Sequence, residues 1–404
     1  MKRIIFCLMA LLAWTWLGAA HAPGEQCTSA VVGPAATADG RPILWKNRDT
    51  DELSNKVVFV REAPHRYLAL VDAPADSGRF VYAGLNDAGF AIMNTVAYNL
   101  PAKAGEFEDL EGIIMADALR TCATVDDFES YLQANRGPNL GSLANFGVID
   151  GRGGAALFEV HNHGYRRYDA ADFPRRTIVN ANFARSGAEG QGAGYLRFER
   201  ATTLFAGLPE NAIRFETVLT EFTRDTGHVL LDHPAPATWP ELPADTPRWI
   251  STRDTINKAY TSAAVVFVGR VPGDDTSMAT MWVIPGEPLT AVAVPLWVES
   301  GASPVALWQG EKAPLWQESW RLKSLIRPAR EGNKDDYVDL TQLANKASTG
   351  YLARLLDTER EILRLTADFL NGQPAAADMA AFQEKMAGRA LQALRAVRPG
   401  EGEK

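Results

Sequence analysis

A chain of 404 residues, 46% hydrophobic and 22% charged, has ordinary globular composition and enough apolar content for one large core or two smaller ones. Its formal net charge of −8 argues against nucleic-acid binding, which needs a basic stripe. Three cysteines, Cys7, Cys27 and Cys122, build no disulfide framework, and no Cys/His grouping has metal-ligand spacing, so neither a metal nor another cofactor is expected.

The chain opens as a secretory signal. Lys2 and Arg3 precede an apolar run, Ile4 to Leu17, that is too short for a comfortable membrane span. The small residues Gly18, Ala19, Ala20 and Ala22 follow, as a signal peptidase site requires. A cut after Ala20 is favoured over one after Ala22, because Pro23 would then follow the scissile bond with a fixed φ and no N–H. A permanent membrane anchor and a lipoprotein are the other readings of such a start. Gly24-Glu25-Gln26 before Cys27 is the wrong context for lipidation. The expectation is an exported protein, periplasmic or extracellular, with no permanent membrane anchor. Residues 1–20 (or to 22) form the signal and 21–26 a short propeptide. Exposing the amine of Cys27 then requires a second cut, at Gln26-Cys27.

From Cys27 onward, short apolar runs alternate with turn signals. Residues 28–33 and 42–46 are predicted strands joined by the hairpin turn Ala38-Asp39-Gly40, and 57–61, 67–71, 80–83 and 90–94 are further strands. Apolar residues at helical spacing predict helices over 110–122 and 125–135, the second beginning at the capping pair Thr124 and Asp127. Strands are expected at 144–149, 155–160, 164–168 and 177–182, helices at 195–208 and 212–223, and strands again at 262–269, 278–284 and 291–295. From about Asp335 the pattern is helical to Val397, with a break at Asn371-Gly372-Gln373-Pro374. Strand blocks interspersed with helical blocks suggest packed antiparallel sheets covered by helices, an α+β fold.

The stretch richest in chemistry runs from Cys27-Thr28-Ser29 through Asp39-Gly40 to Asn47-Arg48-Asp49-Thr50-Asp51. A nucleophilic cysteine needs a thiolate, and a nearby cation lowers its pKa. An antiparallel hairpin of this length returns Arg48 beside Cys27, and Asp51 could hold either the arginine or the α-amine. That amine, with a pKa of about 7.7–8.0, is close enough to neutrality to serve as base, so one residue supplies both nucleophile and base. Read on the residues alone, the same stretch also fits a buried strand-start cysteine with a surface Arg/Asp pair. His161 and His163 share a strand face, but with no third ligand in view they read as a solvated rim. Cys122, inside a helical pattern, reads as core.

These residues resemble the cysteine branch of the N-terminal nucleophile (Ntn) hydrolases: choloylglycine hydrolases, penicillin V acylases and, most similar, the acyl-coenzyme A:6-aminopenicillanic acid acyltransferase family. The resemblance spans about Cys27 to Trp297. It implies a four-layer α/β/β/α sandwich of two antiparallel sheets over 27–334, with 335–404 as a C-terminal helical extension packing on the body or on a second subunit. It implies Cys27 as nucleophile, with Arg48 and Asp51 as the Arg-x-x-Asp beside it. Gly84 to Asn94 is similar to the family's Asn-x-x-Gly-Leu strand pair and makes Asn94 an oxyanion donor, with Thr95 nearby. Asn180-Ala181-Asn182-Phe183 looks like the Thr-Asn-His-Phe motif and makes Asn182 the second donor, Phe183 departing from the usual histidine. Arg253 matches a late active-site arginine.

The activity implied is cleavage of linear amide bonds in N-acylated small molecules through a thioester at Cys27. Acyl transfer by the same acyl-enzyme and a dipeptidase of the same superfamily are alternatives. So is a secreted binding protein in which Cys27 is never unmasked. A small-molecule N-acyl substrate is the expected partner, with homo-oligomerisation open.

Overall fold

Alternation of side chains along each strand decides which residues face which layer. The computed structural model describes residues 26–75, 78–273, 278–327 and 336–398, so the signal expected at 1–20 and residues 21–25 of the expected propeptide lie outside the described residues. In chain order the elements are β1 (Thr28–Val32), β2 (Ile43–Asp49), β3 (Asn55–Val60), β4 (Tyr67–Asp72), β5 (Ala83–Asn86) and β6 (Ala91–Val96), then α1 (Glu111–Thr121) and α2 (Val125–Asn135). Next come β7 (Leu143–Ile149), β8 (Ala155–His161), β9 (Gly164–Asp169) and β10 (Thr177–Asn180), then α3 (Tyr195–Ala206), α4 (Phe215–Thr220) and β11 (Trp249–Ser251). The chain continues through β12 (Thr261–Val268), β13 (Thr280–Ile284) and β14 (Val294–Leu296) to α5 (Val305–Trp308), α6 (Pro314–Ile326), β15 (Tyr337–Asp339), α7 (Leu352–Asn371) and α8 (Ala376–Ala396).

One sheet has six strands in the order β10-β1-β2-β12-β13-β14, and the other has seven in the order β3-β4-β5-β6-β7-β8-β9; β11 and β15 form a small separate ribbon. The seven-stranded sheet is a meander of antiparallel neighbours. On β4, Leu68 and Leu70 join Val31 and Leu44 of the six-stranded sheet in the core between the sheets. The alternate residues Tyr67, Ala69 and Val71 pack with Ile114 and Phe128 of α1 and α2 on the opposite side. Gly147 of β7 lets the sheets approach: a Cβ there would collide with Met93 Cε and come within 2.8 Å of Leu44 Cδ1. The outer face of the six-stranded sheet is covered by helices, Trp45 meeting Phe205 of α3 at 6.1 Å between ring centroids and Phe222 at 6.3 Å. The layers are therefore helices, sheet, sheet, helices, the α/β/β/α arrangement expected of an α+β sandwich.

The hairpin of α7 and α8 belongs to the same core. Met386, Ala387, Ala390 and Leu394 of α8 are buried in the cluster that holds β1, β2 and β12. Full burial of a Leu or Met side chain contributes about 1.5–3 kcal/mol. A buried ion pair, Arg224 with Glu359 of α7, ties the hairpin to the body at 2.8 Å.

The structure corrects several of the expected elements, among them the strand expected over 80–83, which runs instead from Ala83 to Asn86. Residues 337–339 are a strand, not helix: β15 pairs with β11, burying Val338, while Asp339 accepts from Arg248 N and Thr341 N, and only a short 3-10 turn follows at Leu340–Gln342. The helix expected over 212–223 is confined to α4 and ends in a 3-10 turn at Phe222–Arg224. Helix α6, absent from the sequence reading, has Pro314 at its start and buries Leu315, Ser319, Leu322 and Ile326 on one stripe. The α2 prediction needs no revision: its bounds are Val125–Asn135 and Thr124 and Asp127 form a full capping box.

Candidate active site

The β1–β2 hairpin places Cys27. Its turn uses Gly40 at φ +73°, and Asp39 Oδ1 accepts from Arg41 N at 3.2 Å. The strands register Thr28 against Asn47 and Ser29 against Lys46. Pairing extends further, since Gln26 N donates to Asp49 O at 3.2 Å. Cys27 therefore lies across from Arg48 and shares its face of the sheet. Its Sγ donates to Asp49 O at 3.9 Å. Cys27 is 0% exposed.

Arg48, 1% exposed, is fixed on three sides. Its Nη1 lies 2.7 Å from Asn55 Oδ1 and 2.7 Å from Asp72 Oδ1, and the guanidinium sits 3.6 Å above the Tyr82 ring. Hydrogen bonds and stacking together hold the cation in the plane that an arginine fork favours.

Three charged residues that the sequence reading did not single out complete the surroundings. Arg197, fully buried on α3, donates from Nη1 to Cys27 O at 2.6 Å and to Thr28 Oγ1 at 2.9 Å, and from Nη2 to Asn182 Oδ1 at 3.0 Å. Its position follows from helix periodicity: Arg197, Ala201 and Phe205 are the buried residues of α3, four apart on one stripe. Gly194 at the helix start has φ +81°, and a Cβ there would come within 2.5 Å of Arg197 Nη2. Asp49, the last residue of β2, accepts from Thr261 Oγ1 at 2.7 Å and pairs with Lys258 Nζ at 3.3 Å. Lys258 Nζ also donates to Gln26 Oε1 at 2.6 Å.

Burial governs the electrostatics of this cluster. It pushes the Arg197 pKa down, against the attraction of Asp49 and Cys27. It raises that of Asp49 against Lys258 and Arg197. Burial, followed by repulsion from Arg197, pushes Lys258 down to about 8. Charged groups clustered away from water with strongly shifted pKa values are typical of reactive sites, although structural ion networks share the property.

The residues expected at the site divide into two groups. Cys27, Arg48 and Asn182 come together at the start of β1, Asn182 through Arg197. Asn182 is 0% exposed and donates from Nδ2 to Val96 O at 3.0 Å. The strip that carries it is pinned across the sheets, Thr95 Oγ1 donating to Ala181 O at 2.9 Å and Asn145 Nδ2 to Phe183 O at 3.2 Å. Phe183 stacks on Tyr195 with centroids 4.4 Å apart, closing the start of α3. Asn94 is buried on β6, its Oδ1 accepting from the buried Lys46 Nζ at 2.7 Å.

Asp51 and Arg253 fall on the surface. Pairing with β12 ends at Asp49, Thr50 N donates to Tyr260 O at 3.0 Å, and the chain then swings outward, leaving Asp51 exposed. Asp49 takes the buried acidic position instead. Arg253 sits in a turn before Asp254, whose φ is +63°, and points to solvent; Lys258, five residues on, supplies the buried cation. The signal for Arg197 was a cation on the apolar stripe of α3; for Lys258 and Asp49 the sequence offered no local signal.

No family model matches the chain, and no curated protein matches it. Among solved structures it is similar to a variant of conjugated bile acid hydrolase from Clostridium perfringens, with 11% identity, a TM-score of 0.39, and coverage of 67% of this chain and 92% of that one. It is similar to penicillin V acylase from Agrobacterium tumefaciens, with 14% identity, a TM-score of 0.40 and coverage of 67% and 86%. It is also similar to the Caenorhabditis elegans ortholog of N-acylethanolamine-hydrolyzing acid amidase, with 16% identity, a TM-score of 0.38 and coverage of 62% and 95%. At TM-scores below 0.5, the chemistry has to be read from the residues around Cys27 themselves.

Proposed function

We propose that this protein is an exported hydrolase that cleaves linear amide bonds of N-acylated small molecules, using Cys27 as nucleophile once Gln26 has been removed. The observation that carries this reading is the setting of Cys27. It is a buried cysteine immediately before β1, across from Arg48, with its carbonyl gripped by Arg197 at 2.6 Å. A structural cysteine needs apolar packing, not one buried arginine across its strand pair and another on its carbonyl.

Maturation proceeds at the Gln26-Cys27 bond. The Cys27 thiolate adds to the Gln26 carbonyl carbon, the C–N bond breaks as the Cys27 nitrogen takes up a proton, and a thioester forms between Gln26 and Sγ. Water then releases Gln26 as a carboxylate and restores the thiol. In turnover the freed α-amine accepts the thiol proton, the thiolate attacks the substrate carbonyl, and Asn94 and Asn182 donate to the oxyanion. Arg197 fixes the Asn182 amide through its Oδ1, and Arg48 favours the thiolate. The amine leaves with the proton, and water resolves the thioester; a second amine in place of water would make the reaction an acyl transfer.

The test is the mass of the secreted protein together with a panel of N-acyl amides scored for amine release. A mature chain beginning at Cys27 and activity lost in Cys27→Ala support the reading. A mature chain beginning at His21 or Pro23 that is fully active refutes it.

A further inference from the structure

Gln26 is the residue whose carbonyl Cys27 attacks in maturation, and its side chain is already held by the protein. Lys258 Nζ donates to Gln26 Oε1 at 2.6 Å while pairing with Asp49 Oδ2 at 3.3 Å, and its side chain is 5% exposed. Maturation and turnover form the same bond, a thioester between Sγ and an acyl carbon. The groups attached to the Gln26 carbonyl therefore occupy the side of the site that a substrate's acyl group must enter. Counting from that carbonyl as the first carbon, Gln26 Cδ is the fifth, and its oxygen is the atom that Lys258 meets.

An ammonium has three donors. One is spent on Gln26, and it loses its partner when Gln26 departs. A buried donor left without an acceptor is costly, so a substrate that restores the acceptor is favoured over one that does not. Resting on the function proposed above, we infer that Lys258 is a specificity-determining residue that reads an oxygen acceptor on the fifth carbon of the acyl group. The favoured substrates are then glutaryl and 5-oxoacyl amides.

The test has two arms. Gln26→Met keeps side-chain length without the acceptor and Gln26→Glu keeps the acceptor; both residues are lost on maturation, so the mature enzymes are identical. Conversion to the Cys27 terminus, followed by intact mass after pulsed synthesis, should slow about 10- to 100-fold in Gln26→Met, the range for one charge-assisted hydrogen bond. Gln26→Glu should stay within about threefold of the parent, since the bond to the ammonium is retained. Mature wild-type enzyme should show kcat/KM about 10- to 100-fold higher for 5-oxohexanoyl than for hexanoyl p-nitroanilide, and Lys258→Met should bring that ratio towards one. Equal maturation of Gln26→Met, or a wild-type ratio near one, overturns the assignment whether or not Lys258→Met folds. Failure of the underlying function looks different: no Cys27 terminus forms and no thiol-dependent amide cleavage appears with either substrate.

Discussion

Arg197→Met tests the physical account of the site most directly. The guanidinium serves three acceptors at 2.6, 2.9 and 3.0 Å, all on buried residues. Leaving each acceptor unmet costs about 1–3 kcal/mol, hence roughly 3–9 kcal/mol in all. Relief from burying the cation offsets part of this, which brings the loss to about 3–5 kcal/mol, the range for breaking one side of a buried charge network. That is a large share of the roughly 5–15 kcal/mol by which domains are stable. The assay is urea unfolding in a Cys27→Ala background, so that both proteins keep Gln26. Arg197→Lys keeps the charge but lacks the fork that spans Cys27 O and Asn182 Oδ1, and should recover less than half of the loss. A loss below about 1 kcal/mol for Arg197→Met refutes the reasoning.

Burial pushes the Cys122 thiol up to about 11, so iodoacetamide at pH 8 should label Cys27 of the mature protein and spare Cys122; labelling of both in the folded chain counts against the site. Glu359→Ala removes two contacts to Arg224, at 2.9 and 2.8 Å, and one from Ala293 N at 2.7 Å. It should cost about 3–5 kcal/mol and open the segment before α7 to limited proteolysis, whereas unchanged protease resistance would contradict the tether. Lys258 titrates near 8 when folded and at its ordinary 10.5 when unfolded, so the unfolded chain binds more protons between those values. Its penalty is fully present below pH 8, and its effect on stability rises with pH from there to 10.5. In the Cys27→Ala background, wild-type stability relative to Lys258→Met should rise by at most about 3 kcal/mol across that window; a flat difference refutes the shift.

Much of the architecture could be read locally. Short apolar runs bounded by turn signals marked β1, β2, β4 and β6 to within three residues, because strands buried on both faces read as near-continuous apolar segments. The capping pair fixed α2 because Thr124 and Asp127 satisfy each other's backbone donors without help from the rest of the chain. Residues 337–339 were misread as helix because a few apolar residues in a short run suit either period, and only pairing with β11 decides between them.

The sequence by itself placed Cys27 at a strand start, set the hairpin that brings Arg48 opposite it, and marked Asn182 as a second polar group to watch. The first two are short-range facts, decided by a turn and a register; Asn182 was marked only by the resemblance of its motif. Which charges surround the thiol was settled only by tertiary structure. Arg197 comes from α3 and Lys258 from the turn before β12, each far along the chain from Cys27. Asp49 outranks Asp51 because the end of its pairing with β12 fixes which carboxylate stays inside. A charge is reactive or inert according to its burial and its neighbours, and both are properties of the packed layers that no local pattern encodes.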